Sequence, residues 1–165
     1  MRHSLGYRIV QWHGDLAHLG AMSRDNRILA LPEQGIQTMG MPLVLYSVTD
    51  PPGPPLPVGV IEEVFLGGSG SVLKASGWIN LDMLKTAHRD FYRGLLDHEH
   101  LGVGVDVDAC DIERDGQTLT MTSWRLRGAT LSERPAWDAV GIWREWPDSI
   151  WRQLADSIKA VFRFR

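Results

Sequence analysis

The stretch "HLGVGVDVDAC", His100 to Cys110, contains residue types that glycine-rich phosphate loops and calcium loops use. A dinucleotide-binding loop needs a third glycine three residues after Gly104, and Val107 stands there instead. A calcium loop of the EF-hand type that began at Asp106 would need a glycine at its sixth position, which is Asp111, and a glutamate at its twelfth. The pattern therefore predicts neither site, and it is typical of a β-strand in which glycines alternate with valines.

Histidine and cysteine patterns predict no metal site and no cofactor. His98 and His100 are two residues apart, so on a helix they would point in different directions, and no third ligand follows at a recognisable spacing. The single cysteine, Cys110, excludes an internal disulfide and an all-cysteine metal site. A lone cysteine is compatible with a reducing compartment such as a cytoplasm.

Composition and charge narrow the class of protein. With 165 residues and 44% apolar content, the chain is expected to form one compact domain with a core of its own. Its net charge of -3, with both signs interspersed, gives no basic field for nucleic acid phosphates. No apolar run approaches the roughly 20 residues that span a bilayer, and the first residues, "MRHSLGYRIV", lack the apolar core of a signal peptide. The sequence therefore predicts a soluble, unexported protein that binds neither nucleic acid nor membrane.

The first two-thirds of the chain predict strands. "GYRIVQWHGDLAHLGA" indicates a first strand or hairpin, Asp25-Asn26 indicate a turn before a short apolar run, and "MPLVLYSV" indicates a buried strand. In "TDPPGPPLP", five prolines prevent ladder hydrogen bonding and favour an extended loop. "VGVIEEVFL" and "VLKASGWINL" both alternate and are joined by "GGSGS", which predicts a hairpin.

A helix and a second hairpin are predicted next. "DMLKTAHRDFYRGLLDHEH" has apolar residues near helical spacing, which predicts one helix with Asp82 as its N-cap. The strands "GVGVDVDACDIER" and "TLTMTSWRLRGATLS" follow, and Asp115-Gly116 between them is a strong hairpin signal. A glycine inside a strand, such as Gly104, often marks a place where another group approaches closely.

The C-terminal segment, 147–165, predicts an amphipathic helix. Apolar residues recur there at steps of three and four, with Asp148 at the start and Lys159, Arg163 and Arg165 at the end, as the helix dipole favours. Such a helix packs on its own barrel, docks a partner or lies on a membrane surface. Tryptophans near this segment often anchor interfaces. The partner-binding candidates are Trp143, Trp146, Trp151, Leu154, Ile158 and Phe162.

Several motifs, in order, resemble one known family. "FYRGLLDHEHLGVGVDVD" followed by "SWRLRGATLSERPAWDAVGIW" resembles "L-x-G-V-S-V-D-x-D" followed by "R-I-x-A-A-T-L-x-x-x-P-A-F-x-x-A-x-I" in actinophage capsid maturation proteases. Upstream, "WHGDLAHLGAMSRDNRIL", "MPLVLY", "VGVIEEV" and "ASGWINLD" resemble the family's motifs in the same order. The resemblance covers roughly residues 10 to 143 and depends on the order and spacing of the motifs together.

The resemblance implies a fold. Prohead proteases of tailed phages resemble the herpesvirus assemblins, with a small antiparallel β-barrel flanked by helices. We therefore expect an α+β fold of this type, with a barrel domain over 1–146 and the C-terminal amphipathic helix over 147–165.

The resemblance also implies that the catalytic pair is missing. In the family, the serine of "G-V-S-V-D" is the nucleophile and a histidine from an earlier loop is its general base. Gly104 stands at the serine position, and the position nearest the histidine is about Gly53, in "TDPPGPPLPVGVI". No histidine lies between His18 and His88. The sequence therefore predicts a degenerate member of the family, with no catalytic residue intact.

Weaker alternatives for chemistry remain near this strand. Ser123 with His98 or His100 is the one serine and histidine pair that could replace the lost one, although a strand serine more often faces solvent. Arg125 and Arg127 match the family strand beside the site, where they would orient oxyanion donors or form salt bridges.

Three functions are compatible with these observations. The first, which the resemblance favours, is a pseudoprotease: a structural or assembly component of a phage prohead or virion, made in the host cytoplasm. Its expected partners are capsid or other head proteins, and a homodimer is compatible with this function. The second is an active serine-type prohead protease with relocated residues. The third is an unrelated small β-barrel binding module that uses its glycine- and proline-rich loop for recognition.

Overall fold

A computed structural model describes residues 8–68 and 70–145. Its strands are β1 (Ile9–His18), β2 (Arg27–Leu29), β3 (Leu43–Ser47), β4 (Leu56–Gly67), β5 (Val72–Asn80), β6 (Leu101–Asp115), β7 (Thr118–Leu131) and β8 (Gly141–Arg144). Two short helices, α1 (Leu81–Ala87) and α2 (Arg89–Leu96), lie between β5 and β6. The strands predicted from alternation are all present, and the proline-rich stretch is a loop up to Pro55, as predicted.

Seven of these strands close into a barrel, in the order β7-β3-β4-β5-β1-β8-β6, with β6 paired back to β7. The pairing between β8 and β6 is short and consists of Leu101 with Ile142 and Gly102 with Gly141. β2 and β3 both run parallel to β7, beside different parts of it. The α+β barrel is therefore confirmed, but the prediction of an antiparallel barrel is wrong, because β7 has parallel partners and the sheet is mixed.

The core fills the inside of this barrel. Side chains alternate across a strand, so each strand sends every second residue inward. β5 shows this most clearly, with Leu73, Ala75, Gly77 and Ile79 buried and the residues between them half-buried. Burying such apolar surface is worth roughly 25 cal/mol per Å² and is the main force that holds the barrel closed.

The hairpin of β6 and β7 forms where the sequence predicts it. Asp115 pairs with Thr118, and Gly116 between them has a φ of 60°, a conformation that glycine adopts at little cost. The predicted hairpin of β4 and β5 is also present, since the two strands pair from Gly59 with Ile79 onward.

The helical region differs from the prediction in two ways. The Asn80 side chain accepts hydrogen bonds from the backbone N–H groups of Asp82 and Met83, so Asn80 is the N-cap and Asp82 lies in the first turn. The single predicted helix is interrupted at His88, whose φ of -156° is extended. His88 then caps α2, because its Nδ1 accepts a hydrogen bond from the Phe91 N–H at 3.3 Å. A capping histidine is uncommon, so helical periodicity alone does not reveal this break.

The predicted C-terminal helix, over 147–165, lies outside the described residues, as does Trp146. The boundary between a barrel domain and a C-terminal helix therefore stays a prediction. Among residues 8–68 and 70–145, no helix has the length and apolar character needed to cross a membrane.

Candidate functional site

A groove of about 860 Å³ lies on the outside of the barrel, over the first part of β6. Four parts of the chain form it: the turn at 24–25, the end of β3 at Val48, β6 at 104–106 and the end of β7 with the loop after it at 130–136. These segments are far apart in sequence and meet only because the barrel closes. Gly104, the position of interest from the resemblance, lines this groove.

Gly104 has room for a side chain. It pairs with Thr130 on β7, and a Cβ built on Gly104 would meet no other atom within 4 Å. Gly102, two residues earlier on the same strand, is different, because its Cβ would overlap the carbonyl oxygen of Ser132. Packing therefore requires glycine at 102, whereas nothing in the surroundings requires it at 104.

Two hydroxyl groups belong to the groove residues, on Thr130 and Ser132. The Ser132 hydroxyl accepts a hydrogen bond from the Arg134 N–H at 3.1 Å, and the Ser132 N–H donates to the Gly102 carbonyl at 2.9 Å. These bonds hold the loop after β7 in place, which is the usual task of a serine that bonds the backbone two residues on. No described residue that lines the groove is a histidine, so neither hydroxyl has an imidazole base there.

Ion pairs fix the opposite wall of the groove. The Arg24 guanidinium forms an ion pair with Asp138, and the backbone N–H of Arg24 donates a hydrogen bond to the Ala136 carbonyl at 2.8 Å. Asp25 pairs with Arg27 at 2.9 Å and accepts a hydrogen bond from the Ser23 hydroxyl. Both pairs are largely exposed, so they order the turn more than they stabilise the fold.

The loop to which the resemblance assigns the histidine position begins at this groove. Val48 lines the groove, and its N–H donates to the Leu131 carbonyl at 3.1 Å. Gly53 lies five residues further along the loop, outside the groove lining. A Cβ on Gly53 would meet only the Thr49 hydroxyl, at 3.3 Å. The loop therefore begins in the same groove as Gly104, and residues 48–55 include no histidine.

The alternative serine and histidine pair is not brought together. Ser123 is exposed and pairs with Asp111, seven positions beyond Gly104, which is on the order of 20 Å along β6. His100 lies at the other end of β6, where its ring packs at a tilt of 34° against Trp143, with 4.3 Å between centroids. His98, with a φ of 56°, lies two residues before it. The length of β6 therefore separates Ser123 from both histidines.

The two arginine candidates lie beyond the groove. Arg125 donates a hydrogen bond to the Asp108 carboxylate at 2.8 Å, and this bond is the main cause that raises the pKa of the Arg125 guanidinium. Arg125 therefore forms a cross-strand ion pair between β7 and β6. Arg127 is exposed on the same strand, and neither arginine lines the groove.

One buried histidine was missed by sequence reasoning. His88 is only 3% exposed, stacks on Phe91 at 3.8 Å between centroids and places Nε2 3.3 Å from a carboxylate oxygen of Glu133. Because its Nδ1 accepts the Phe91 N–H, both ring nitrogens are occupied. A smaller depression of about 460 Å³ is lined by His88, His100, Glu133 and Ser132. The His88 imidazole is engaged in capping, and the His100 ring packs against Trp143.

Of the predicted partner-binding residues, only Trp143 falls in the described part of the chain. It is half-buried on β8, between the rings of His13 and His100, with centroids 6.0 Å and 4.3 Å away. Trp151, Leu154, Ile158 and Phe162 lie outside the described residues together with Trp146. The free thiol of Cys110 is exposed on β6, six residues past Gly104.

Metal-binding groups are not gathered in the part of the chain that the structure describes. No three histidine, cysteine or carboxylate side chains among these residues are placed to hold one ion. Comparisons of the chain with protein-family models, with curated proteins and with solved structures gave no match.

Proposed function

We propose that this protein is a phage head morphogenesis protein with a capsid maturation protease type of barrel that lacks its Ser/His catalytic pair. It acts as a structural or assembly component of the prohead and associates with capsid or other head proteins. The motif resemblance suggests the family, and the groove around Gly104 carries the proposal.

The main support for the proposal is that Gly104 has room for a side chain but lacks the reactive group that a serine would supply. A side chain would fit there, in a groove of about 860 Å³ on the barrel surface, yet the residue has none. This is the position at which the resemblance puts a serine nucleophile. Removing the nucleophile from a serine protease leaves activity about 10⁶-fold below the intact enzyme in the best-studied case. The groove is therefore suited to binding rather than to peptide hydrolysis.

The missing base supports the same proposal. The loop from Val48 toward Gly53 reaches the groove at its first residue but carries prolines and no histidine. His88 is the buried histidine on the groove's neighbouring side, and both of its ring nitrogens have partners. Thr130 lines a groove whose described residues include no histidine, and the two histidines that share the smaller depression with Ser132 are engaged with other groups. Neither hydroxyl therefore has the activation that a nucleophile requires.

The two other functions make different demands. An active protease that uses Ser123 would need a histidine beside it, and the candidates His98 and His100 are at the opposite end of β6. A binding module unrelated to phage heads would use the same groove, and the lack of any match in the comparisons leaves this function as the second candidate.

Co-expression with the major capsid protein of the same genome separates these functions. We expect the capsid protein to keep its full mass by intact mass spectrometry and the full chain to sediment with assembled particles. A reference capsid protein from an unrelated phage controls for nonspecific trapping, and Ser123→Ala, Ser132→Ala and Thr130→Ala variants control for residual chemistry.

Each other outcome counts against the proposal in a different way. Specific cleavage of the capsid protein that disappears with one of the three alanine variants would show an active protease and would identify its nucleophile. Particles that form without this chain in them, with the soluble chain left behind, would favour the unrelated binding module.

A further inference from the structure

We propose that the predicted C-terminal helix, over 147–165, covers an apolar depression on the outer face of β1, β4 and β5 of its own chain. This inference does not depend on the proposed function. It concerns the side of the barrel at Trp78. In this proposal the C-terminal segment packs against its own barrel rather than against a partner.

The depression has a volume of about 680 Å³ and an apolar lining on adjacent strands. Ile9 on β1, Val60 on β4 and Trp78 on β5 supply its side chains, with Gly59 and Asn80 at its edge. Val60 pairs with Trp78, and Ile9 pairs with Asn80, so the strand register itself gathers these residues. Ile9 is 55% exposed, so the depression is open to solvent at this side chain among the described residues.

The path of the chain points to the occupant. The last described residue, Glu145, donates its N–H to the Gln11 carbonyl at 2.9 Å. Gln11 in turn pairs with Trp78 on β5. Strands lie about 4.8 Å apart, so Glu145, which lies beside β1, is roughly two strand spacings, or about 10 Å, from Trp78 on β5.

The segment that follows has the complementary surface. Its stripe, the apolar residues Ile150, Trp151, Leu154, Ile158, Val161 and Phe162, is predicted to lie on one side of a helix. From Ile150 to Phe162 such a helix is about 18 Å long at 1.5 Å per residue. Three neighbouring strands with their side chains present a surface of similar width. An isolated helix of this length is marginal in water, so its stripe needs a surface to pack against.

Thiol labelling of the full chain tests this placement. Two single-cysteine proteins are made in a Cys110→Ser background, Ile9→Cys in the depression and Ile112→Cys on β6. The parent residues are almost equally exposed in the structure, at 55% and 53%, so Ile112 is a matched reference site. With the native C-terminal segment we expect a water-soluble maleimide to modify Ile9→Cys about tenfold more slowly than Ile112→Cys, because the covering helix must open first.

Variants in the segment decide whether the stripe causes the protection. Leu154→Glu with Ile158→Glu is expected to bring the Ile9→Cys rate up to that of Ile112→Cys. Lys159→Gln with Arg163→Gln changes the net charge equally but on the opposite face, and is expected to leave the protection intact. Circular dichroism establishes folding, and Leu154→Ser with Ile158→Ser replaces the glutamate pair if that protein does not fold.

Two results would overturn the placement. The first is a rate at Ile9→Cys that the stripe variants leave unchanged, which would mean that the segment lies elsewhere. The second is protection that grows with protein concentration, since this would make a second copy of the chain the occupant instead.

Discussion

The first part of β6, Leu101–Asp106, and its outer part, Val107–Asp115, belong to one strand but meet different demands. In the first part Leu101 and Val103 are buried and the groove lies above them, whereas the outer part becomes exposed on both faces toward its end. The outer part is also irregular, with register shifts on either side of Asp111. The comparison teaches that packing restricts residue choice most where the strand closes the barrel. Gly104 lies in this first part of β6, yet packing there does not require a glycine at position 104.

The largest effect is expected at Gly102. Gly102→Ala should lower the free energy of unfolding by about 3 kcal/mol, because the new Cβ overlaps the Ser132 carbonyl and the backbone must shift. Gly104→Ala is the matched control, and it should be neutral or stabilise by up to about 1 kcal/mol, since a strand glycine costs conformational entropy. Denaturant titration measures both, and equal destabilisation by the two variants would break the distinction between the glycines.

A smaller effect is expected for side-chain truncation along the strand. Val103 is fully buried, so Val103→Ala should cost about 2 kcal/mol through lost burial and the cavity left behind. Ile112 is 53% exposed, and Ile112→Ala should change stability by less than about 0.5 kcal/mol. Thermal and denaturant unfolding compare the two, and a larger loss at Ile112 would mean that the outer part is covered by something in solution.

The smallest effect is expected at the ion pair of the outer part. Arg125 and Asp108 are both half-buried and open to solvent on one side, so Asp108→Asn should shift the unfolding midpoint only slightly, and less in high salt. The hydrogen bond that Arg125 donates to Asp108 raises the pKa of Arg125, so this contribution is fully present below the ordinary arginine pKa and is lost only at more alkaline pH. A midpoint measured from pH 6 to 9 should therefore show no change that depends on Arg125. A large loss of stability in Asp108→Asn at any salt concentration would contradict the comparison.

Local features of the fold were predictable from the sequence, and non-local ones were not. Asp115-Gly116 predicts the β6–β7 hairpin because a turn is decided by its own few residues. The parallel pairing of β2 and β3 with β7 joins segments that are about 80 residues or more apart, and no local pattern reports it. The helix break at His88 also escaped prediction, since its cap depends on a buried imidazole rather than on a common capping residue.

The candidate site divides in the same way. Gly104 was identified from the motif resemblance, but the groove needs the turn at 24–25 and the loop at 130–136, which tertiary structure alone brings to β6. The sequence allowed Ser123 and His100 to meet because His100 directly precedes β6 and Ser123 lies on β7, the strand that follows β6. They are separated in space because β6 is 15 residues long and places them near opposite ends.

The late position of β8 in the chain determines when β1 can complete its pairing during synthesis. β1 is made early, yet its second neighbour in the barrel is β8, more than 100 residues later in the chain. On the ribosome, the nascent β1–β5 sheet therefore keeps one edge of β1 unpaired until Gly141–Arg144 has emerged. An open edge of this kind is a template for pairing with other chains. Slow elongation just before residue 141 would thus favour intermolecular association, and the rate of translation there becomes a determinant of folding yield.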